Sequence, residues 1–179
     1  FIELDYNAAE ARTLLALMGK DQPKEDIHDY NAKNLYHSSR DDAKKRFFAW
    51  LYNPNSDDLI SNGHYDRDSI LGSYFLYGSV ENIFKRKIKC DDYHALNYLI
   101  QSTSADLVLD RMVQIYKLLK GRKSYVAFTL HDSIILDFAS EDKELIKPII
   151  EEYRNTKLGN FMTSVSAGKD LYNLNKINI

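Results

Sequence analysis

Residues 125–138 have the sequence Tyr125-Val-Ala-Phe-Thr-Leu-His-Asp-Ser-Ile-Ile-Leu-Asp-Phe138. Two runs rich in apolar and β-branched residues, Tyr125 to Leu130 and Ile134 to Phe138, are separated by three residues only. Runs of this length and composition predict two antiparallel strands joined by a tight turn, although the turn lacks the glycine that such turns usually contain. A hairpin of this kind predicts an antiparallel sheet.

Other strands and helices are predicted on both sides of this hairpin. Phe1 to Asp5 alternates apolar and acidic residues and predicts a strand, and Met162 to Ser166 predicts a short final strand. Periodicity and helix-ending residues predict helices over Ala8 to Met18, Ile27 to Tyr36, Arg40 to Tyr52, Asp92 to Lys120 (disturbed at residues 101–104) and Ser140 to Arg154 (bent at Pro148), with Asp26, Ser39 and Ser140 as N-caps. Residues 54–90 give no clear pattern. The order of strand, helices, hairpin, helix and strand predicts an α+β domain with a small antiparallel sheet.

Composition limits the classes of protein to which the chain can belong. Its 179 residues are about the length of one domain, and 44% of them are apolar, which is enough to bury a core. Cys90 is the only cysteine, so an internal disulfide and a cysteine-rich zinc site are excluded. The formal charge of −2 gives no attraction for nucleic acid over the whole chain. Such binding must come from local basic clusters such as Lys85–Lys89, although most clusters of this kind are solvated surfaces.

A stripe of cations and aromatic residues is predicted on one helix. Its members recur every four residues, so a helix aligns them on one slowly turning face about 18 Å long; they are Arg40, Lys44, Phe48 and Tyr52. A helix that only packs against a core carries aliphatic residues on such a face. Two cations followed by two aromatic residues could hold a triphosphate at one end and a base at the other.

Two aspartates lie at the ends of predicted strands. Asp5 ends the first strand, and Asp132 lies in the hairpin turn. Either residue alone is most simply a cap for backbone donors. If their carboxylates lie close together, they must share a proton or bind divalent cations, and oxygen ligands of this type suit Mg²⁺.

Five blocks of the sequence resemble the motifs of family A DNA polymerases, the group of bacterial DNA polymerase I and many phage enzymes. In chain order they are Asp5-Tyr-Asn-Ala-Ala-Glu10-Ala-Arg12, Asp26-Ile-His28, the stripe from Arg40 to Tyr52, Asn97…Gln101-Ser-Thr-Ser-Ala-Asp106, and His131-Asp132. A single short block has little weight, but five in the right order cover most of the chain.

The resemblance implies two-metal nucleotidyl transfer. Asp5 and Asp132 would hold two Mg²⁺ ions, with the Tyr6 carbonyl as a further ligand, and the ions would activate the primer 3′-hydroxyl and stabilise the leaving pyrophosphate. The implied dNTP-binding residues are Glu10 as a steric gate against a ribose 2′-hydroxyl, His28, Arg40 and Lys44 for the triphosphate, and Phe48 and Tyr52 for the sugar and base. The implied contacts to primer-template DNA are Asn97, Gln101 and His131.

The chain departs from the family pattern at several positions. Asn7-Ala8 replaces the usual Ser-Gln, and Tyr93 lies where an arginine is expected. Ser133 follows the second aspartate, where the family more often has glutamate. Because single-subunit RNA polymerases often carry serine there, an RNA polymerase-like nucleotidyl transferase is one alternative, although Glu10 argues against it.

Nothing in the sequence resembles the thumb or the 3′–5′ exonuclease of this family. We therefore expect residues 1–179 to form a partial polymerase domain, with residues 1–25 and 91–179 as palm and residues 26–90 as a helical fingers subdomain. The expected activity is template-directed addition of dNTPs to a primer 3′-hydroxyl. We expect no membrane association and a location in the cytoplasm of a bacterial or phage-infected cell, since no apolar run could span a membrane. A catalytically inactive nucleic-acid-binding remnant, or a split-polymerase subunit that needs an upstream segment or partner chain, is the other alternative.

Overall fold

The computed structural model describes residues 1–177, which form two compact units. The first unit combines residues 1–9 with the residues from 105 onward, and the second consists of residues 10–104. The predicted palm and fingers boundaries lie instead at residues 25/26 and 90/91, and the assignment of those two names stays a prediction.

The strands are short and lie in both units. They are β1 (Ile2–Tyr6), β2 (Phe75–Leu76), β3 (Ser79–Glu81), β4 (Lys87–Lys89), β5 (Tyr125–Leu130), β6 (Ser133–Asp137), β7 (Asn155–Thr156), β8 (Gly159–Asn160), β9 (Thr163–Ala167) and β10 (Asn175–Lys176). The α-helices are α1 (Ala9–Leu17), α2 (Ile27–Asn31), α3 (Arg40–Tyr52), α4 (Leu59–His64), α5 (Arg67–Tyr74), α6 (Asp92–Leu118) and α7 (Ile146–Arg154). A π-helical turn, Ala32–Tyr36, follows α2, and a 3₁₀ helix, Ser140–Leu145, precedes α7.

The first unit is built on a five-stranded antiparallel sheet with the strand order β10-β9-β1-β6-β5. β1 pairs with a strand on each side, and its side chains alternate between buried and partly exposed. Strand β6 is buried almost throughout, and α7 contributes Ile149, Ile150 and Tyr153 to the core of this unit. The predicted hairpin and the α+β class are therefore confirmed.

The second unit is mainly helical and has an aromatic core. The rings of Phe47, Trp50 and Tyr65 are buried and lie within 5.2–6.3 Å of one another. A small antiparallel sheet, β2-β3-β4, completes this unit, and no helix of residues 1–177 is long and apolar enough to cross a bilayer.

The predicted caps of two helices are confirmed. The Asp26 side chain accepts hydrogen bonds from the backbone N–H groups of His28 and Asp29 at the start of α2. At the start of α3, the Ser39 hydroxyl accepts one from the backbone N–H of Asp42 at 3.2 Å. Both residues therefore satisfy backbone donors that helices leave unpaired at their first turn.

Two helix predictions are wrong in detail. Helix α6 continues without interruption through residues 101–104, because the hydroxyls of Ser102 and Thr103 donate to the Leu99 carbonyl one turn earlier. Ser140 is not the cap of α7, which begins only at Ile146 after the 3₁₀ helix. Pro148 thus lies in the first turn of α7, where its missing N–H has no intrahelical partner to lose.

Candidate functional site

The sheet register of the first unit sets the two aspartates at neighbouring positions. On β1, Asp5 lies opposite Ser133 of β6 on one side and Ser164 of β9 on the other. Asp132 immediately precedes Ser133 in the hairpin turn, and its carbonyl accepts a hydrogen bond from the Tyr6 backbone N–H at 3.4 Å. The two aspartates thus lie on β1 and in the turn directly before β6, the strand that pairs with β1.

The electrostatics of Asp5 reflect this placement. Burial, followed by the negative charges of Asp132 and Glu3, raises the pKa of the Asp5 carboxyl to about 7, and Lys176 opposes this shift. The charged form of Asp5 is therefore unfavourable in the protein alone. A cation held between these carboxylates would remove that penalty.

The donor set fits a magnesium site that the protein completes only in part. Among residues 1–177, no three His, Cys, Asp or Glu side chains form a metal-binding cluster. Mg²⁺ is commonly held by one or two carboxylates and takes its remaining ligands from water and substrate phosphates. Asp5 and Asp132 could supply the carboxylates of such a site, and the Tyr6 carbonyl stays a predicted ligand.

A pair of stacked tyrosines supports the backbone around the aspartates. The rings of Tyr6 and Tyr153 lie 4.1 Å apart and are nearly parallel, with Phe161 packed edge-on against Tyr6. The Tyr6 hydroxyl donates to the Tyr153 carbonyl at 2.6 Å, and the Tyr153 hydroxyl donates to the Asp132 carbonyl at 2.7 Å. Tyr153 thereby fixes the turn that carries Asp132. No sequence signal distinguishes it from the other tyrosines of the chain.

The hairpin turn itself exposes one predicted DNA-binding residue. His131 has a left-handed backbone with φ of +52° and is exposed, so it takes the position that glycine usually fills in a tight turn. Ser133 is buried, and its hydroxyl donates to the Leu130 carbonyl across the turn at 2.9 Å. A short hydroxyl side chain at this position therefore closes the turn.

The predicted stripe lies on the exposed side of α3 in the second unit. Arg40, Lys44 and Tyr52 are exposed, and Phe48 is partly exposed. The core-facing side of the same helix is apolar and consists of Ala43, Phe47, Trp50 and Leu51. The cations and aromatic residues therefore remain accessible to a ligand.

Carboxylates already surround the arginine of this stripe. The Arg40 guanidinium donates to Asp26 at 2.8 Å and lies 3.9 Å from Asp29 and 3.8 Å from Asp41. The hydrogen bond to Asp26 is the main reason that the pKa of Arg40 is raised. A triphosphate on Arg40 must compete with these acidic partners.

The predicted phosphate-binding histidine is buried beneath the stripe. The His28 ring lies 5.7 Å from the Phe48 ring, and its Nδ1 has no hydrogen-bond partner among the residues described. Burial, together with the charges of Arg40 and Lys44, lowers the pKa of His28 to about 4, although the nearby Asp26 carboxylate opposes this shift. His28 is therefore neutral at pH 7, and it could donate a hydrogen bond to a ligand without adding positive charge.

A second cluster joins four of the predicted site residues. The Tyr52 hydroxyl donates to the Glu10 carboxylate at 2.6 Å, and Gln101 also forms a hydrogen bond with Tyr52. Burial and the Glu10 contact together raise the pKa of Tyr52. Phe48 stacks on the Tyr52 ring at 5.8 Å with an interplanar angle of 12°. Side chains from α1, α3 and α6 thus meet at one place in the second unit.

Asn97 lies one turn before Gln101 on α6. Its Oδ1 is buried without a hydrogen-bond partner in the described part of the chain. Buried polar atoms of this kind are rare in proteins and commonly bind a ligand or a water molecule.

Arg12 is a buried cation for which the sequence predicts no role. Its side chain donates to the carbonyls of Pro23 and Glu25 at 3.0 and 2.9 Å, and it also contacts the Gln22 amide. These bonds hold the loop that leads into α2, the helix that carries His28. Arg12 ends the first of the five motif blocks, but only the structure reveals this contact.

Comparison with known proteins establishes the fold of the chain. Its structure is similar to that of the POL domain of Pol1 from M. smegmatis, solved in complex with DNA primer-template and dNTP, with a TM-score of 0.71 and 15% identity. The match covers 94% of this chain and 39% of that chain. The mixed helix-and-sheet architecture with small antiparallel sheets is therefore that of a polymerase domain fragment.

Sequence comparison leaves the family open. No protein-family model matches the chain. A curated protein described as the tubulin gamma chain, nucleomorph, of Guillardia theta is 26% identical over 167 residues. The aligned region is 87% of this chain but only 39% of that protein. The chain therefore has the fold of a polymerase domain, and its membership of family A rests on the motifs and is a proposal.

Proposed function

We propose that this chain belongs to a family A-like DNA polymerase and adds dNTPs to the 3′-hydroxyl of a primer on a DNA template. The observation that carries the proposal is the pairing of β1 with β6, which sets Asp5 opposite the residue after Asp132. The similarity of the fold to a POL domain solved with DNA primer-template and dNTP supports the same partners for this chain.

In this proposal the first unit provides the reacting centre. Asp5 and Asp132 hold Mg²⁺, which when bound supplies Lewis-acid stabilisation of the charge that develops on the transferred phosphoryl group. Tyr153 holds the Asp132 carbonyl, so the turn that carries the carboxylate is rigid before substrate arrives. Such preorganisation avoids reorganisation during the reaction.

The second unit provides nucleotide selection. Arg40 and Lys44 bind the triphosphate, and neutral His28 donates a hydrogen bond to it. Phe48 and Tyr52 form a stacked surface for the sugar and base. We propose that Asn97, Gln101 and His131 contact the primer-template.

The alternative of an RNA polymerase-like enzyme is disfavoured by one contact. The Glu10 carboxylate is held by the Tyr52 hydroxyl at 2.6 Å, so its position beside the proposed sugar surface is fixed. A fixed carboxylate there leaves no space for a 2′-hydroxyl in this proposal. Deoxynucleotides are therefore the proposed substrates.

A partner-dependent polymerase is the second candidate, because this chain corresponds to only 39% of the POL domain that it matches. It predicts DNA binding by the chain without incorporation until a complementary polymerase segment is supplied. Incorporation by the chain alone would reject this candidate.

Primer extension with Mg²⁺ tests the proposed chemistry. Asp132→Asn should lower the rate of single-nucleotide incorporation by about 10³-fold, since several kcal/mol of charge stabilisation convert at tenfold per 1.36 kcal/mol. Asp137→Asn is the matched control, because Asp137 lies on the same hairpin and, among residues 1–177, is bonded only to the Tyr125 hydroxyl. An Asp132→Asn protein as active as this control would refute the assignment.

A further inference from the structure

The small sheet of the second unit concentrates positive charge. Residues 75–89 contain a single carboxylate, Glu81, and four cations, which are Lys85, Arg86, Lys87 and Lys89. Strand β4 pairs with β3 so that Lys87 lies opposite Glu81 and Lys89 lies opposite Ser79. Both lysines are exposed, whereas Ile88 between them pairs with the buried Val80. Lys87 and Lys89 therefore share the outer face of this sheet, and Lys85 and Arg86 lie in the loop that precedes β4.

The tip of the same sheet displays an aromatic ring in a strained backbone. Leu76 pairs with Ser79, so Tyr77 and Gly78 form a two-residue turn. Their φ angles are +52° and +70°, a conformation that favours asparagine or glycine at the first position and disfavours a bulky side chain. The Tyr77 side chain is fully exposed, with a relative exposure of 101%, so its burial does not compensate for the strain in this backbone. Fold stability does not explain a tyrosine at this position.

A cleft adjoins the ring and the cations. It has a volume of about 540 Å³, and its lining includes Tyr74, Tyr77, Lys85 and Lys87. Glu81 also lines the cleft and pairs with Lys85 at 3.3 Å, so it neutralises one of the two lysines there. An anionic ligand in this cleft meets an aromatic ring and a net positive edge.

The loop between β3 and β4 is held in one conformation. The Asn82 side chain is buried and accepts hydrogen bonds from the backbone N–H groups of Phe84 and Arg86 at 2.9 and 3.1 Å. The backbone N–H of Asn82 donates to the Arg86 carbonyl at 3.0 Å. The cations at this end of the sheet are therefore presented on a preorganised backbone.

We propose that residues 73–89 form a binding site for single-stranded nucleic acid. Lys87 and Lys89 are two residues apart on a strand, about 6.7 Å along its axis, and they bind successive phosphates of an extended strand. Tyr77 stacks on a base, as aromatic side chains do in single-strand binding sites of low sequence preference. An acidic protein segment would use the lysines but would gain nothing from an exposed ring at the tip.

This site goes beyond the proposed polymerase activity and does not depend on it. None of residues 73–89 belongs to the proposed metal site at Asp5 and Asp132 or to the stripe on α3. Binding of a single strand is measured without Mg²⁺ or dNTP, whereas the polymerase proposal is tested by nucleotide incorporation. Either proposal can therefore fail alone.

Fluorescence anisotropy of a labelled dT₁₂ strand, titrated with the full chain at several salt concentrations, tests the site. The double variant Lys87→Gln, Lys89→Gln should weaken binding at low salt and reduce the slope of log K against log salt by about 1.4, because each phosphate that is no longer neutralised accounts for about 0.7. The double variant Lys143→Gln, Lys147→Gln, on exposed lysines of the first unit, makes the same charge change and should leave affinity and slope unaltered.

The tyrosine is tested by Tyr77→Asn, because asparagine tolerates the left-handed turn and keeps the chain folded. This variant should weaken dT₁₂ binding roughly 5- to 150-fold, with the salt slope unchanged. Equal weakening in both lysine variants would indicate general attraction by charge and overturn the proposal. If Tyr77→Asn binds dT₁₂ with wild-type affinity, the proposal is also overturned. The same holds if a poly-glutamate peptide binds as tightly as dT₁₂ and the Tyr77→Asn substitution does not change its affinity.

Discussion

The carboxylate of Glu10 has a fixed position because the Tyr52 hydroxyl donates to it at 2.6 Å. A carboxylate held in this way can exclude an atom from the space beside it. Glu10→Ala should therefore raise incorporation of ribonucleotides relative to deoxynucleotides by roughly 10- to 100-fold, the range that one steric exclusion provides. Single-turnover incorporation of matched dNTP and NTP pairs measures this ratio.

Tyr52→Phe is the matched control for the Glu10 variant. It keeps the stacked ring next to Phe48 but removes the hydroxyl that holds the carboxylate. We expect a smaller loss of sugar discrimination than in Glu10→Ala, with base stacking retained. Unchanged sugar selectivity in Glu10→Ala would remove the gate from the proposed mechanism.

The buried imidazole of His28 predicts a pH dependence of stability. Burial lowers its pKa in the folded chain to about 4, below its value of about 6.5 in the unfolded chain. Between these values His28 binds more protons in the unfolded chain than in the folded chain, so its contribution to the free energy of unfolding falls as the pH is lowered from 6.5 to 4. Above pH 6.5 the contribution of His28 is fully present and constant.

Urea denaturation of the wild type and of His28→Gln between pH 4 and 6.5 measures the contribution of His28 to the free energy of unfolding. Relative to His28→Gln, the wild type should lose stability as the pH falls from 6.5 to 4, by at most about 1.4 kcal/mol per pH unit. The raised pKa of Asp5 changes stability in the opposite direction over this range, but it is common to both proteins and cancels in the difference. His37→Asn serves as the control, because His37 is exposed and asparagine tolerates its left-handed backbone. A wild-type slope that persists in His28→Gln would assign the pH dependence to other groups.

At the scale of elements, α3 separates two tasks on adjacent residues. Phe47 is fully buried in the aromatic core, whereas Phe48 is partly exposed and stacks on Tyr52. Phe47→Ala should lower the free energy of unfolding by about 3–5 kcal/mol, as expected for a buried phenylalanine. Phe48→Ala should cost clearly less stability and should instead raise the KM for dNTP.

Denaturation curves and steady-state kinetics of the two variants distinguish the faces of α3. The contrast depends on neighbouring positions in one helix, so helix propensity and local sequence are nearly constant. An equal decrease in stability in both variants would mean that Phe48 belongs to the core. Phe48 would then not be available to bind a ligand at the aromatic end of the stripe.

The elements that sequence predicts well are those with local signals. The β5–β6 hairpin follows from two apolar runs around a short turn, and α3 follows from its capping serine and its spacing. The sheet β2-β3-β4 escaped prediction because its strands have two or three residues, too few to show a period. The predicted break in α6 failed because two hydroxyls bond within the helix.

Contacts between residues that lie far apart in the chain could not be predicted from the sequence. Their positions at the ends of predicted strands and the family resemblance suggested a shared task for Asp5 and Asp132, but only the register of β1 against β6 sets Asp5 opposite the residue after Asp132. Tyr153, which holds the Asp132 carbonyl, and Arg12, which holds the loop before α2, had no distinguishing pattern. Such roles depend on tertiary packing, which no local periodicity encodes.

At the scale of the whole molecule, the charge is distributed unevenly. The net charge is only −2, yet β4 and the loop before it carry four cations, and Asp5 on β1 lies opposite the residue that follows Asp132. Under the two proposals, local fields of opposite sign would attract different ligands, phosphates at the first surface and cations at the second. Such a chain would need no strong overall charge to bind both.

Binding of Mg²⁺ by Asp5 and Asp132 should raise the stability of the whole chain. A ligand that binds only the folded state stabilises it by about 2.7 kcal/mol when its concentration is 100 times the Kd. The gain should be visible as a higher midpoint of thermal unfolding with increasing Mg²⁺, because the cation offsets the burial and the charge repulsion that raise the pKa of Asp5. Asp5→Asn and Asp132→Asn should each abolish most of this shift, whereas Asp137→Asn should retain it. A shift of equal size in all four proteins would show that Mg²⁺ acts elsewhere on the chain, and the two carboxylates would then have no claim to the metal.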